Sequence, residues 1–309
     1  MTKEIEQNLM KVPVLNLLVK LGKKVAIPGL NGMTLYDLLE LYIIGIVKGA
    51  LTSRAGGIAF SFFMALFPFL LFVLTLIPYV PIEGFQEDFI AQIENWLPPN
   101  TSEAVQSVIE DIAKNKYGGL LSFGFLTSIF LMTNGVNSIF GGFEYSYHIK
   151  EMRSVIRQYL IALGTSIMLS ILLLTTIAFI AYLEIGVRNL QESGWVTNDG
   201  FWIQNGSIVL FIFMIYLSVS ILYHFGTKEV KHLKFFSIGA LLTTLLTLLM
   251  FYLFGIYVIK FSKYNELYGS IGTLLILMLF VWLNSIILLL GFELNASLNR
   301  LRKRQLPKK

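Results

Sequence analysis

Arg54, Glu144 and Glu293 stand at the edges of long apolar stretches and are the side chains of this sequence best placed to do chemistry. An ionisable group at the end of a membrane helix is costly to bury, so it turns to the bundle interior or a cavity and takes a partner. In the topology worked out below, all three reach one level. There they form either a gate or ion-coupled site, or a structural ion-pair cluster that holds three helix ends together. Asn134, Asn137 and Asn284 lie inside apolar stretches. They offer ligand contacts or interhelical hydrogen bonds, the latter worth roughly 1 kcal/mol or less in model systems. Other chemistries lack their residues. The chain has no cysteine, which rules out disulfides, thiolate metal sites and cysteine nucleophiles. Only His148, His224 and His232 are present, with no H-x-H or HExxH spacing, so a histidine-rich zinc hydrolase cannot be assembled. No GxSxG, no P-loop GK[ST] and no GxGxxG ahead of a helix occurs. The expectation is therefore no metal, no cofactor and no enzyme.

The elements that must position these residues follow from composition. Hydrophobic residues make up 55% of 309 positions and charged residues 14%, and the mean hydropathy is +0.70. A soluble domain cannot hide that much apolar surface, so an all-α polytopic membrane protein is expected. The net charge of +5 gathers in short segments beside apolar spans. Such segments set topology or touch anionic lipid, and a nucleic-acid partner is not expected. The first 29 residues are broken by charges and Pro13, without the layout of a cleavable signal.

The stretch from Arg54 to Val80 carries no charge after its first residue, longer than the ~20 residues a crossing needs. Ala55, Gly56, Gly57 and Ala59 would let a neighbouring backbone approach closely, and Pro68 would kink the helix at mid-span. Further crossings are expected at 118–140, 159–183, 207–226, 236–259 and 271–291, making six with 57–80. Before them, residues 1–53 should form cytoplasmic helices. One is an amphipathic surface helix over 5–24. The other runs from Leu35 to Leu51 behind a capping-box-like Thr34 and Asp37, too charged to span. Residues 81–117 read as an outer helical hairpin, a cap on the bundle or a mobile gate. Its seven carboxylates (Glu83, Glu87, Asp88, Glu94, Glu103, Glu110, Asp111) have the spacing of a solvated face rather than a calcium loop. Residues 299–309 are a basic tail.

Lysine and arginine fix the orientation. Residues 1–54 hold 7, the loop after the second span 3, the loop after the fourth 3, and the C-terminus from Arg300 holds 6, a total of 19 against 5 in the intervening loops. Cytoplasmic loops are enriched in these residues, so both termini should be cytoplasmic. Gly141-Gly142, Gly269, Gly272 and Gly291 mark places where backbone can bend or be approached. One internal similarity stands out: Tyr117-Gly118-Gly119, Asn137-Ser138-Ile139 and Gly142-Phe143-Glu144 have counterparts in Tyr268-Gly269-Ser270, Asn284-Ser285-Ile286 and Gly291-Phe292-Glu293. If it is a repeat, both copies run outside to inside.

RAGGIAFSFFMALFPFLLF resembles the R-A-x-x-x-A-(Y/F)-x-x-(L/M)-x-x-(L/F)-P-(L/F) signature of the YihY / virulence factor BrkB family, and YGSIGTLLILMLFVWLNSIILLLGFELNAS is similar to its closing segment. Arg54, Pro68, Tyr268, Gly269, Gly272, Trp282, Gly291, Glu293 and Asn295 occupy the motif positions, while Gly56-Gly57 stands where alanines are more usual. The resemblance implies six spans in the bacterial inner membrane. Some members have carried the label ribonuclease BN, which the histidine inventory argues against. Two functions remain open: a transporter or translocator of an amphipathic or lipid-like substrate, or a non-transporting scaffold for envelope assembly. Oligomeric state is not legible.

Overall fold

A computed structural model of the protein describes residues 34–79, 115–146, 151–192, 199–228, 235–260 and 270–305, with 23, 24, 26, 111 and 149 besides. The surface helix expected over 5–24, nearly all of the outer hairpin, Gly269 and the basic tail beyond 305 lie outside the described residues. What is described is α-helical, with no strand beyond an isolated bridge between Ala26 and Thr34.

Helix α1 spans Leu35–Lys48. Its start is closed by two short side chains reading each other's backbone: the Thr34 N–H donates to Asp37 Oδ2 at 2.8 Å and the Asp37 N–H to Thr34 Oγ1 at 3.3 Å. This is a capping box with Asp in the usual Glu position. The helix stops short of Leu51 because Ala50 turns into the left-handed region, with φ 47°. The Ala50 carbonyl then accepts from Ser53 and Arg54, both at 3.1 Å, and opens α2.

Helix α2 runs Leu51–Leu76 through Pro68, followed by a single 3-10 turn at Ile77–Tyr79. Then come α3 (Gly118–Glu144), α4 (Val155–Glu192), α5 (Asp199–Gly226), α6 (Ile238–Lys260) and α7 (Ser270–Gln305). Five helices among the described residues are long and apolar enough to cross a membrane: Gly118–Glu144, Val155–Ile180, Trp202–Gly226, Ile238–Val258 and Leu274–Leu301. Helix α2 is not among these five. It is nonetheless 26 residues long and packs against α3 and α7.

Neighbour contacts close these helices into a ring in chain order: α2 on α3, α3 on α4, α4 on α5, α5 on α6, α6 on α7, and α7 back on α2, with α1 laid against α7. Successive helices are antiparallel, so the start of α2, the end of α3, the start of α4, the end of α5, the start of α6 and the C-terminal half of α7 share one end. Nearly all the buried apolar core sits there: Leu51, Ala55 and Ile58 of α2, Val136, Phe140 and Phe143 of α3, Ala162 of α4, Leu222 and Tyr223 of α5, Ala240 of α6, Leu289 and Phe292 of α7. Phe143 and Phe292 stack at its centre, ring centroids 4.2 Å apart and planes 8° from parallel. Among the described residues, the opposite halves of α5 and α6 contribute none that is fully buried. Among the described residues the apolar core is concentrated at this end, with small and polar residues such as Thr75, Gly124, Ser128 and Thr176 buried toward the other.

Two junctions explain the close contacts. Gly239 and Gly291 meet where α6 crosses α7, and a Cβ on Gly291 would fall on Thr243 Oγ1, 2.5 Å from Tyr223 Oη and 2.6 Å from the Gly239 carbonyl oxygen. Only glycine allows that approach. Where α2 meets α3, the expected glycine contact is not what forms. Gly56 and Gly57 have open space beside them, whereas Ala55 and Ala59 are wholly buried. At 100° per residue the inward stripe takes 55, 58 and 59, and residues 56 and 57 swing outward. Further along, a Cβ on Gly124 of α3 would stand 3.4 Å from the Phe72 backbone, and Ser128 Oγ donates to the Pro68 carbonyl at 2.8 Å. The helix continues unbroken through the proline.

Candidate functional site

Arg54, on the first turn of α2, reaches across the packed end of the ring. Its Nη2 donates to Glu293 Oε1 at 2.7 Å, with the two side chains 7% and 0% exposed. Its Nη1 donates to the Gly142 carbonyl at 2.7 Å, near the end of α3. The second Glu293 oxygen accepts from Ser146 Oγ at 2.8 Å. One arginine therefore ties three helix ends, and the carboxylate it serves has both oxygens engaged. Removing such a charge from water is costly, and short bonds to both Nη atoms and both carboxylate oxygens offset it, while Arg54 Nε is left buried without a partner. Tyr42 of α1 is near enough to feel the Glu293 charge. Its hydroxyl keeps its proton above the ordinary tyrosine range, first through burial and then through the Glu293 charge.

Glu144 is brought to the same layer but not to Arg54. It is 4% exposed, and its nearest donors are the Arg153 backbone N–H, at 3.4 and 3.5 Å from its two oxygens, and Gln158. With the Gln158 amide turned so that its nitrogen faces the carboxyl and its oxygen faces donors, that nitrogen donates to Glu144 Oε2 at 3.1 Å. The Arg153 guanidinium goes elsewhere, Nη1 donating to the Phe225 carbonyl at the end of α5 at 2.6 Å. Burial lowers the Arg153 pKa, the Glu144 charge acts against that, and Arg157 adds to it. Arg153, Ser146 and Gln158 were not singled out from the sequence, because polar residues just outside an apolar span look like ordinary loop residues. The signal the sequence offers is an arginine just ahead of a long apolar run, as at Arg54, which recurs at Arg153 ahead of Val155.

The asparagines are not brought together. Asn134 and Asn137 are half-buried on α3, and Asn284 turns its Nδ2 back on its own helix, donating to the Phe280 carbonyl at 2.9 Å. Asn295 does more at the packed end. Its Oδ1 accepts from the Gly239 N–H at 2.9 Å and its Nδ2 donates to Ser237 Oγ at 2.8 Å, satisfying the start of α6. Tyr223 donates to the Leu288 carbonyl at 2.6 Å, so Thr243, at 2.6 Å, donates to it. Gly272 is buried and Gly291 sits at the α6–α7 crossing.

The sequence that builds this geometry matches a known family. The chain matches the family model described as virulence factor BrkB over residues 45–309, and it belongs to that family. It is 31% identical over 264 residues to YfkH of Bacillus subtilis (strain 168), named as a ribonuclease-like protein, covering 81% of this chain and 91% of that one. No solved structure matches. The protein is an integral membrane protein of the bacterial BrkB family.

Proposed function

We propose that the protein translocates an amphipathic or lipid-like substrate across the bacterial inner membrane, and that the described state is sealed on the cytoplasmic side. The observation that carries this reading is the uneven packing of the ring. The end with Arg54, Glu144 and Glu293 is dense, aromatic and ion-paired, while among the described residues the far halves of α5 and α6 bury no side chain completely. A sealed end opposite a loosely packed one is what a substrate path opening to one side requires. Half-buried Asn134, Asn137 and Asn284 stand between the two, with few polar contacts to offer, which suits an amphipath better than an ion or sugar. In this reading α2 is the sixth crossing, both termini are cytoplasmic, and Arg54–Glu293 is the inner gate.

The name of the Bacillus relative is not carried over. A nuclease needs acid-base groups open to its substrate, and here Arg54, Glu144 and Glu293 are enclosed in the packed end of the ring. The test is reconstitution in vesicles containing a trace of fluorescent phospholipid, with an impermeant reductant added outside, with and without an imposed proton gradient. Translocation exposes the inner-leaflet label, so its fluorescence should be lost as well. A parallel arm uses a soluble amphipathic dye. Loss no faster than in protein-free vesicles in every arm would replace the translocator with a membrane scaffold.

A further inference from the structure

Two Gly-Phe-Glu segments meet at the packed end of the ring, Gly142-Phe143-Glu144 and Gly291-Phe292-Glu293, with their phenylalanines stacked. Their glutamates are not in equivalent surroundings. Glu293 has an arginine at 2.7 Å on one oxygen and a serine hydroxyl at 2.8 Å on the other, as an ionised carboxylate requires. Glu144 is almost as deeply buried, yet no cation lies within ion-pair distance of it among the described residues. Its donors are one backbone N–H at the outer limit of hydrogen bonding and one neutral amide. It is also the last residue of α3, where the negative end of the helix dipole opposes an anion. Beside it, Arg153 holds a buried Nη2 with no partner.

We infer that Glu144 is a proton-binding site: it carries a proton in this state, and on releasing it to the adjoining aqueous side it takes the free Nη2 of Arg153 as counter-ion. The O–H bond of the carboxylic acid breaks, the proton leaves to water, and the new carboxylate is matched by a charge already in place. The other described charged groups of the layer are placed elsewhere. Arg54 and Glu293 are paired to each other, with Tyr42 near enough to feel the Glu293 charge. Arg157 is exposed and acts on Arg153, and His224 packs between the rings of Phe225 and Phe235. Pulling Arg153 toward Glu144 would draw it from the Phe225 carbonyl and so loosen the end of α5 from the segment that leads into α4. The inference rests on the translocator reading in that it makes the proton the coupling ion, but its test reads protonation and not transport.

Infrared difference spectra of the purified protein in lipid nanodiscs, titrated with base, supply that test. The wild type should retain a protonated-carboxyl band at pH 7 that vanishes at alkaline pH. Glu144→Gln, isosteric with the protonated acid, should fold and lack the band, and Glu151→Gln, altering an exposed carboxylate paired to Lys228, should keep it. Arg153→Gln removes the waiting counter-ion and should move the loss of the band upward by about one to three pH units. A wild type with no protonated carboxyl at pH 7, a band that survives Glu144→Gln, or a midpoint unmoved by Arg153→Gln would overturn the proposal. Failure of Glu144→Gln to fold would count against it too, since a neutral side chain is what the site is said to hold.

Discussion

At the scale of single residues, the protein's one buried ion pair among the described residues decides how its helix ends meet. Glu293 is wholly enclosed and depends on Arg54. Breaking one partner of such a pair costs roughly 3 to 5 kcal/mol, because the other charge is left buried and uncompensated. Glu293→Gln should therefore lower the melting temperature in detergent sharply. Arg54→Gln added to it should cost little more, and losses that simply add would show that the two do not act as a pair. The arginine and both glutamates stand out in the sequence as charges at the edges of apolar runs. Which glutamate takes the arginine does not, because it depends on Ser146 turning back after α3 and on Arg153 claiming the space beside Glu144.

At the scale of elements, packing turns on which small residues face a neighbour. Gly291 lies where α6 crosses α7 with no room for a methyl group, whereas Gly57 looks into open space. Gly291→Ala should destabilise the fold by about 3 kcal/mol, in the upper range for overpacking. Gly57→Ala should stabilise it by roughly 0.5 to 1 kcal/mol through helix propensity. Thermal unfolding of the two variants in one detergent separates them, and equal effects would contradict the assigned faces. Apolar runs located the helices well but not their ends. Helix α4 reaches Glu192 where the hydropathy pattern stops at 183, since Glu184 and Arg188 end a hydrophobic run without ending a helix. The choice of Ala55 and Ala59 over the adjacent glycines depends on the rotation of α2, which a run of small residues leaves open.

At the scale of the whole molecule, the membrane class follows from composition alone, and the closed ring does not, since no local pattern says that α7 returns to α2. The ring makes α2 a full member of the bundle; with α2 as a crossing both termini would lie on one side, which the lysine and arginine bias predicts to be the cytoplasm. The chain has no native cysteine, so Ser107→Cys and Lys308→Cys can be compared directly. An impermeant thiol reagent on intact cells should label the first and spare the second, and the reverse would invert the orientation. A gate at the Arg54–Glu293 layer must open for a substrate to pass. Spin labels at Thr52→Cys on α2 and Ile238→Cys on α6, both exposed, report the separation of these helices by pulsed electron paramagnetic resonance. With the ion pair intact a single short distance is predicted, and with Glu293→Gln a second, longer population should appear beside it; one unchanged distance in both proteins would contradict a gate and leave a rigid bundle.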